Sequence, residues 1–478
     1  MRLTWSLSAV AGHCALVTAV AAMTVAAGPA RQPGAGPAAP AGQPGAAPAV
    51  IRITPDIIHA AGPSGRPPTT AACERSYHIA CYSPVQVQRA YQVPVLLARG
   101  ISGRGQTIVI VDSFGSPTVR HDLQVFDTTF HLPPPPALTI IQPAGRVPPY
   151  RPTPNREGWA GETDLDVEYA HAMAPGAKIL LVETPTSENE GTTGFPQIVQ
   201  AEEYVVSHHL GGVISQSFSA TEQTFPSPRS LLALRGAYLD AARKGVTVLA
   251  AAGDSGAADV KFNQVTYYLY PVTSWPDSDP LVTGVGGTQL RLNATGGHIA
   301  PDRVWNDTYS AAANTFVSGN RGPSPLAGGG GRSVIFGRPR YQHGVQAAVA
   351  GRRGVPDISM SAACDGSVVA YQSFQGQPPG WYPTCGTSEA TPLFAGIVAL
   401  AGQLAGHPLG LINPRLYELS AHHAPGIVDV VSGNNTVAFR QGGRLHTVPG
   451  FAAVRGYDLA TGVGTVNAAW FAYELAGK

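Results

Sequence analysis

Hydrophobic positions along the chain fall into two kinds of block. Short β-branched or aliphatic runs occupy 107–111, 178–182, 212–215 and 246–251, each bounded by polar or small residues. Such runs predict buried strands. Between them lie stretches with helical spacing at 163–173, 197–208 and 231–244, and a nearly continuous apolar stretch at 393–404. Strands alternating with helices predict a parallel sheet covered by helices on both faces, an α/β fold. The rest carries longer loops at 280–290, around the glycines 328–331, and at 355–360, with no internal repeat. Residues 28–71 are rich in Pro, Gly and Ala without a sustained apolar period, which predicts a leader unable to bury a core. The expected partition is 1–27 as a signal peptide, 28–71 as the leader and 72–478 as a single catalytic-size domain.

Composition narrows the function classes. Of 478 residues, 44% are hydrophobic and 13% charged, and the formal net charge is +1. No basic run or excess of positive charge points to nucleic acid. Met1-Arg2 precedes an apolar stretch reaching Ala27, with small residues at Val25-Ala26-Ala27. This reads as a cleaved secretory signal, with an uncleaved anchor as the alternative. His13 before Cys14 argues against lipidation, and no other segment is long and apolar enough to span a bilayer. The expectation is therefore a secreted, extracellular monomer without stable membrane association. Beyond the signal remain Cys73, Cys81, Cys364 and Cys385. Three pairings are possible, and proximity favours Cys73 with Cys81 and Cys364 with Cys385. Neither pair has zinc-site spacing.

Two segments carry chemistry. Glu162 and Asp166 stand four residues apart in Gly161-Glu162-Thr163-Asp164-Leu165-Asp166. On a helix such residues share one face, about 5–6 Å apart at Cβ. Two carboxylates so placed cannot both ionise cheaply, so the pair titrates as a unit. Asp164, at i+2, points elsewhere. The plain alternative is a solvated acidic helix start. The second segment, Cys385-Gly386-Thr387-Ser388-Glu389-Ala390-Thr391-Pro392, places a serine just before the apolar helix. Its hydroxyl can face solvent near helix N–H groups, although Ser is also a common N-cap.

Gly386-Thr387-Ser388-x-Ala390-x-Pro392 resembles the serine segment of subtilisin-like enzymes. So do Met173-Ala174-Pro175-Gly176, the 278–288 segment and Pro356-Asp357-Ile358-Ser359. The histidine segment of those enzymes is absent, and Glu162 and Asp166 stand in its place. With Ala252-Gly253-Asp254-Ser255-Gly256, Val213 to Phe218, Gly329 to Ser333 and a C-terminal aspartate pair, the chain resembles the sedolisins, the serine-carboxyl peptidases, over roughly 73–475. The resemblance implies a subtilisin-like sheet and an acid-acting endopeptidase on protein or peptide substrates. It implies Ser388 as nucleophile, Glu162 as general base, Asp166 as its support and Asp254 as the oxyanion donor. A carboxyl can donate there only when protonated, which implies an acid optimum.

The resemblance also implies one structural Ca²⁺, held by Asp429, Asp458 and the carbonyls of Val430, Val454 and Gly456, an oxygen-only set suited to that ion. Sedolisins often have glycine at the position of Val454, a change that a main-chain ligand tolerates. Asp112, ending the first strand, is expected as an acid near Glu162, and Ser217-Phe218-Ser219 as an edge for substrate backbone. One departure concerns maturation, because sedolisins usually carry a long folded propeptide and the stretch before the domain here is short. Two competing readings are a Ser-His-Asp subtilase using His121 or His171, and a binding protein on an inactive peptidase scaffold. The intact set of Glu162, Asp166, Asp254 and Ser388 argues against the second.

Overall fold

The computed structural model describes residues 56–57 and 65–478. The expected signal and most of the expected leader lie outside the described residues. Eight strands form the central sheet: β1 (Thr107–Ser113), β2 (Leu138–Ile141), β3 (Lys178–Thr184), β4 (Val213–Gln216), β5 (Thr247–Ala251), β6 (Thr283–Gln289), β7 (Arg303–Val304) and β8 (Ile358–Ser361). Their order is β7-β6-β5-β4-β1-β3-β2, with β8 paired to β6. Every pairing is parallel except that of β6 with β7. All four predicted strands are present, within one or two residues of their expected ends.

Both faces of the sheet are buried. In β1, Ile108 and Ile110 enter one hydrophobic cluster while Val109 and Val111 enter another, as the period of two along a strand requires. The first cluster lies under α1 (Val119–Phe130), α2 (Pro154–Met173) and α5 (Thr387–Ala405); the second lies under α3 (Phe195–Ser207) and α4 (Gly236–Lys244). This is the expected α/β, subtilisin-like layering. No helix among the described residues is long and apolar enough to cross a membrane.

Three helix boundaries differ from the sequence expectation. Helix α2 begins at Pro154, capped by Thr153, rather than at 163. From Trp159 to Met173 every residue of it is buried, so no polar face marks that stretch, and exposure is confined to the first residues after the cap. The acidic pair therefore sits in mid-helix, not at a solvated start. The stretch 231–244 is two pieces, Pro228–Leu232 and Gly236–Lys244. Helix α5 begins at Thr387, so Ser388 lies inside its first turn and Gly386 takes the cap position. Helices α2 and α5 approach closely: a Cβ on Gly396 would lie 2.4 Å from Met173 Cβ. That contact brings the acidic helix beside the serine helix.

A smaller sheet leads into the serine. Strands β9 (Ser367–Gln372) and β10 (Gly380–Cys385) form an antiparallel pair, flanked by Cys81–Tyr82 and by Asp56–Ile57, whose Asp56 lies opposite Cys385. Disulfides join Cys73 to Cys81 and Cys364 to Cys385, the pairing that proximity favoured. The second bridge ties the segment after β8 to the residue before Gly386.

Candidate active site

Four segments distant in sequence meet at the mouth of α5. Ser388 retains 7% exposure, whereas Glu162 and Asp166 on α2 are 1% and 0% exposed. The Ser388 hydroxyl lies near enough to the Glu162 carboxyl to favour its ionised form. Asp166 Oδ1 accepts from Ser217 Oγ at 2.8 Å, and that hydroxyl lies 3.3 Å from the Ser388 carbonyl. Pro392 explains why this carbonyl has no helical N–H donor. It occupies the position four residues on, where an ordinary residue would donate its N–H. Glu162 Oε1 and Asp166 Oδ2 have no hydrogen-bond partner among the described residues.

Burial and neighbouring carboxylates govern the electrostatics. Burial pushes the Glu162 carboxyl well above its usual range, and the charge of Asp112 raises it further; the Ser388 hydroxyl opposes this and Asp254 adds to it. Asp166 is raised in the same way by burial, then by Asp112 and Glu162, against the Ser217 hydroxyl. Asp112, on β1, is pushed up to about 7 by burial, with Thr163 opposing and Glu183 adding. It stands beside the pair, as the sequence led us to expect. Asp164 faces away, toward Ser116 and Asp122.

Asp254 follows β5 and lies against the turn that carries the serine. Its Oδ1 accepts from Thr387 N and from Thr387 Oγ1, both at 2.7 Å. Thr387 Oγ1 in turn accepts from Gly253 N at 3.1 Å. Gly386 has φ +125°, and a Cβ there would stand 2.6 Å from Asp254 Oδ2. Only glycine fits that conformation beside the carboxyl. Burial raises Asp254 to about 6, against the two Thr387 hydrogen bonds. With Oδ1 committed as an acceptor, the proton of the neutral form belongs on Oδ2.

Three contacts were not legible beforehand. Thr387 lies in the serine motif, yet its double donation to Asp254 has no local signature. Ser217 was expected only as substrate edge, and its hydroxyl also meets Asp166. Asp259 was missed altogether. Its Oδ2 lies 3.7 Å, and Ser219 Oγ 4.0 Å, from the point a Cβ on Gly253 would occupy, so these side chains border the space beside Asp254. The two candidate histidines are engaged elsewhere. His171 meets Pro133 O at 2.9 Å and Asp127 at 3.2 Å, and His121 meets Asp122 at 2.9 Å.

The expected calcium ligands lie in two loops that hydrogen bonds hold together. Asp429 Oδ2 accepts from Gly456 N at 2.9 Å, and Asp458 Oδ2 accepts from Val454 N at 3.1 Å. Asp458 Oδ1 accepts from Ala460 and Thr461 N–H groups. The carbonyls of Val430, Val454 and Gly456 receive no hydrogen bond from the described residues. No group of three or more His, Cys, Asp or Glu side chains with metal-binding geometry occurs among the described residues. The donor set, three main-chain oxygens and two carboxylates, thus fits an oxygen-seeking ion.

A helix-covered parallel sheet with a serine at the mouth of one helix is the subtilisin-like arrangement, here with a carboxylate pair on the neighbouring helix. The chain belongs to the subtilase family, whose profile matches residues 158–442, and within that fold to the sedolisin group. It is 33% identical over 394 residues to kumamolisin from Bacillus sp. (strain MN-32), covering 80% of this chain and 62% of that protein. It is 30% identical over 310 residues to sedolisin from Pseudomonas sp. (strain 101), covering 65% of this chain and 48% of the other. The chain thus spans about half to three fifths of the length of these relatives. Among solved structures, Pseudomonas sedolisin, a serine-carboxyl proteinase complexed with two molecules of pseudo-iodotyrostatin, superposes with a TM-score of 0.67 at 27% identity. That match covers 84% of this chain and 99% of the other.

Proposed function

We propose that the protein is an acid-acting serine-carboxyl endopeptidase. The observation that carries this reading is the meeting of Ser388, Glu162, Asp166 and Asp254 around one turn, with each carboxyl raised in pKa and no histidine in the set. Ser388 attacks the scissile carbonyl, and its proton passes to Glu162, which must be the ionised member of the coupled group at that moment. Asp166 and Asp112 keep the remaining protons, so one negative charge is shared among three buried acids. Glu162 then returns the proton to the leaving amine, and water repeats the cycle on the acyl-enzyme.

The developing oxyanion meets the protonated Oδ2 of Asp254 and the positive end of α5. Above about pH 6 that Oδ2 loses its proton and repels the same intermediate. Acid action therefore follows from the donor as much as from the base.

We infer further that residues 1–27 direct secretion, that 28–71 form a leader ahead of the 72–478 catalytic domain, and that the substrates are proteins or peptides. Calcium would be held by Asp429, Asp458 and the carbonyls of Val430, Val454 and Gly456, where it would neutralise two carboxylates and brace the two loops.

The test compares wild-type protein with Ser388→Ala on a denatured protein substrate across about pH 2.5–8. Acid-limited cleavage that the substitution abolishes is expected. Activity that rises through the histidine range would overturn the carboxyl mechanism. Serine-independent cleavage, or none, would overturn the assignment of Ser388.

A further inference from the structure

Beside the candidate active site stands a hairpin whose most exposed large side chain, Phe262, is left mostly in water. Val260 and Tyr267 pair across it, Lys261 N donates to Thr266 O at 2.7 Å, and Gln264 N closes the tip on Lys261 O at 2.8 Å. Asn263 Oδ1 accepts from the N–H groups of Val265 and Thr266. The base is anchored by Asp259, which accepts from Ser274 Oγ at 2.5 Å, and by Thr221 Oγ1 donating to Val260 O at 2.9 Å. Tyr267 packs at a tilt against Phe439 with 4.8 Å between centroids, and its N–H donates to Gln441 Oε1 at 2.7 Å. The hairpin is therefore held on two sides and is not a loose loop.

Its base borders the cleft directly. Asp259 Oδ2 and Ser219 Oγ flank Gly253, the residue before Asp254. Above this base Phe262 is 64% exposed, and it is followed by Leu269 at 44% and Tyr270 at 53%. The Phe262 ring rests on Gly191, which has φ +80°; a Cβ there would stand 3.0 Å from the ring edge. One edge of the aromatic ring is thus fixed against backbone while most of its surface is left in water. An isolated exposed apolar side chain needs no explanation, but a held aromatic ring at the rim of a cleft is a half-built contact.

Resting on the peptidase reading above, we propose that Phe262 is a specificity-determining residue. It supplies an apolar wall that accepts a large aliphatic or aromatic side chain of a peptide lying along Ser217-Phe218-Ser219. A substrate side chain would complete the burial of the ring. Loss of such a wall is expected to cost about tenfold in kcat/KM, within the range for apolar pockets.

The experiment profiles wild-type, Phe262→Ser and Phe262→Leu proteins at about pH 4, within the carboxyl range, on peptide series that vary each of four residues on either side of the cleaved bond. Ser388→Ala is the background. The expected result is one position at which the preference for large apolar residues falls about tenfold with Ser, mainly through KM, and is restored with Leu. Wild-type cleavage with an unchanged Phe262→Ser profile at every position would overturn this inference and leave the peptidase reading intact. Absence of cleavage by the wild-type protein would overturn both. Equal loss on every peptide, through kcat, would mark Phe262 as a structural prop and also overturn the inference.

Discussion

The substitution Asp254→Asn isolates the oxyanion argument. Because Oδ1 accepts two hydrogen bonds from Thr387, an asparagine here keeps its carbonyl on Thr387 and presents Nδ2 where the acid presents Oδ2–H. The amide donates at every pH, whereas the carboxyl donates only below about pH 6. Other groups titrate in the same range, so the informative quantity is the ratio of kcat/KM for the variant to that for wild type, in which shared titrations largely cancel. That ratio should be flat at pH 3–5 and near unity within about tenfold. It should reach about 10-fold above its acid value at pH 7 and about 100-fold at pH 8, following a single ionisation near 6. Stopped assays on one soluble peptide across the range measure it. Asp254→Ala removes the donor at every pH and should cost about 10²–10³ in kcat in acid. A ratio that is constant with pH, or that falls as pH rises, would refute the assignment of Asp254 as a protonated donor.

Further outcomes follow from the same geometry. Gly386→Ala places a Cβ 2.6 Å from Asp254 Oδ2 at φ +125°, so turnover should fall about a hundredfold, the scale of an ångström-sized misplacement. The melting temperature should move much less, which calorimetry beside kinetics would register. Replacing Cys364 and Cys385 with serine releases a bridge spanning 21 residues and should cost about 3 kcal/mol in denaturant unfolding. The buried carboxyls also set stability against pH. Burial raises Asp112 to about 7 and Asp254 to about 6, both above their unfolded values. Their contribution is therefore complete below the unfolded carboxyl range and lost as pH rises through about 6–7. Each contributes a slope near 1.4 kcal/mol per pH unit within its window. Thermal unfolding from pH 3 to 8 should show the maximum on the acid side; a maximum at neutral pH would contradict this. Calcium at 100 times its dissociation constant should add about 2.7 kcal/mol, and Asp429→Asn should abolish that increment.

Much of the site is written locally. The four-residue spacing of Glu162 and Asp166 can be read without coordinates because helix geometry fixes what i and i+4 share. The Gly-Thr-Ser-x-Ala-x-Pro segment is legible for a similar reason: Gly386 fits a positive φ, and Pro392 leaves the Ser388 carbonyl without a helical N–H donor. The strand–helix alternation gave the α/β class because runs such as 107–111 and 178–182 have no polar face to expose. The disulfide pairing was suggested by proximity alone, although sequence left all three pairings open.

Other features belong only to the tertiary structure. The middle of α2 carries no amphipathic signal because from Trp159 onward it is buried on every side, and that burial depends on where α1, α5 and the β9–β10 pair lie. The pKa values were equally illegible. Glu162 in water is an ordinary carboxylate, and its proton affinity rises because the fold buries it and sets it beside the charge of Asp112. Only the fold sets Thr387 against one oxygen of Asp254, and only the fold anchors the hairpin that carries Phe262 through Asp259 and Thr221. Sequence by itself determined which chemical groups were present and which local turns could carry them. The sheet decided their neighbours, since burial and charge are properties of the assembled surroundings.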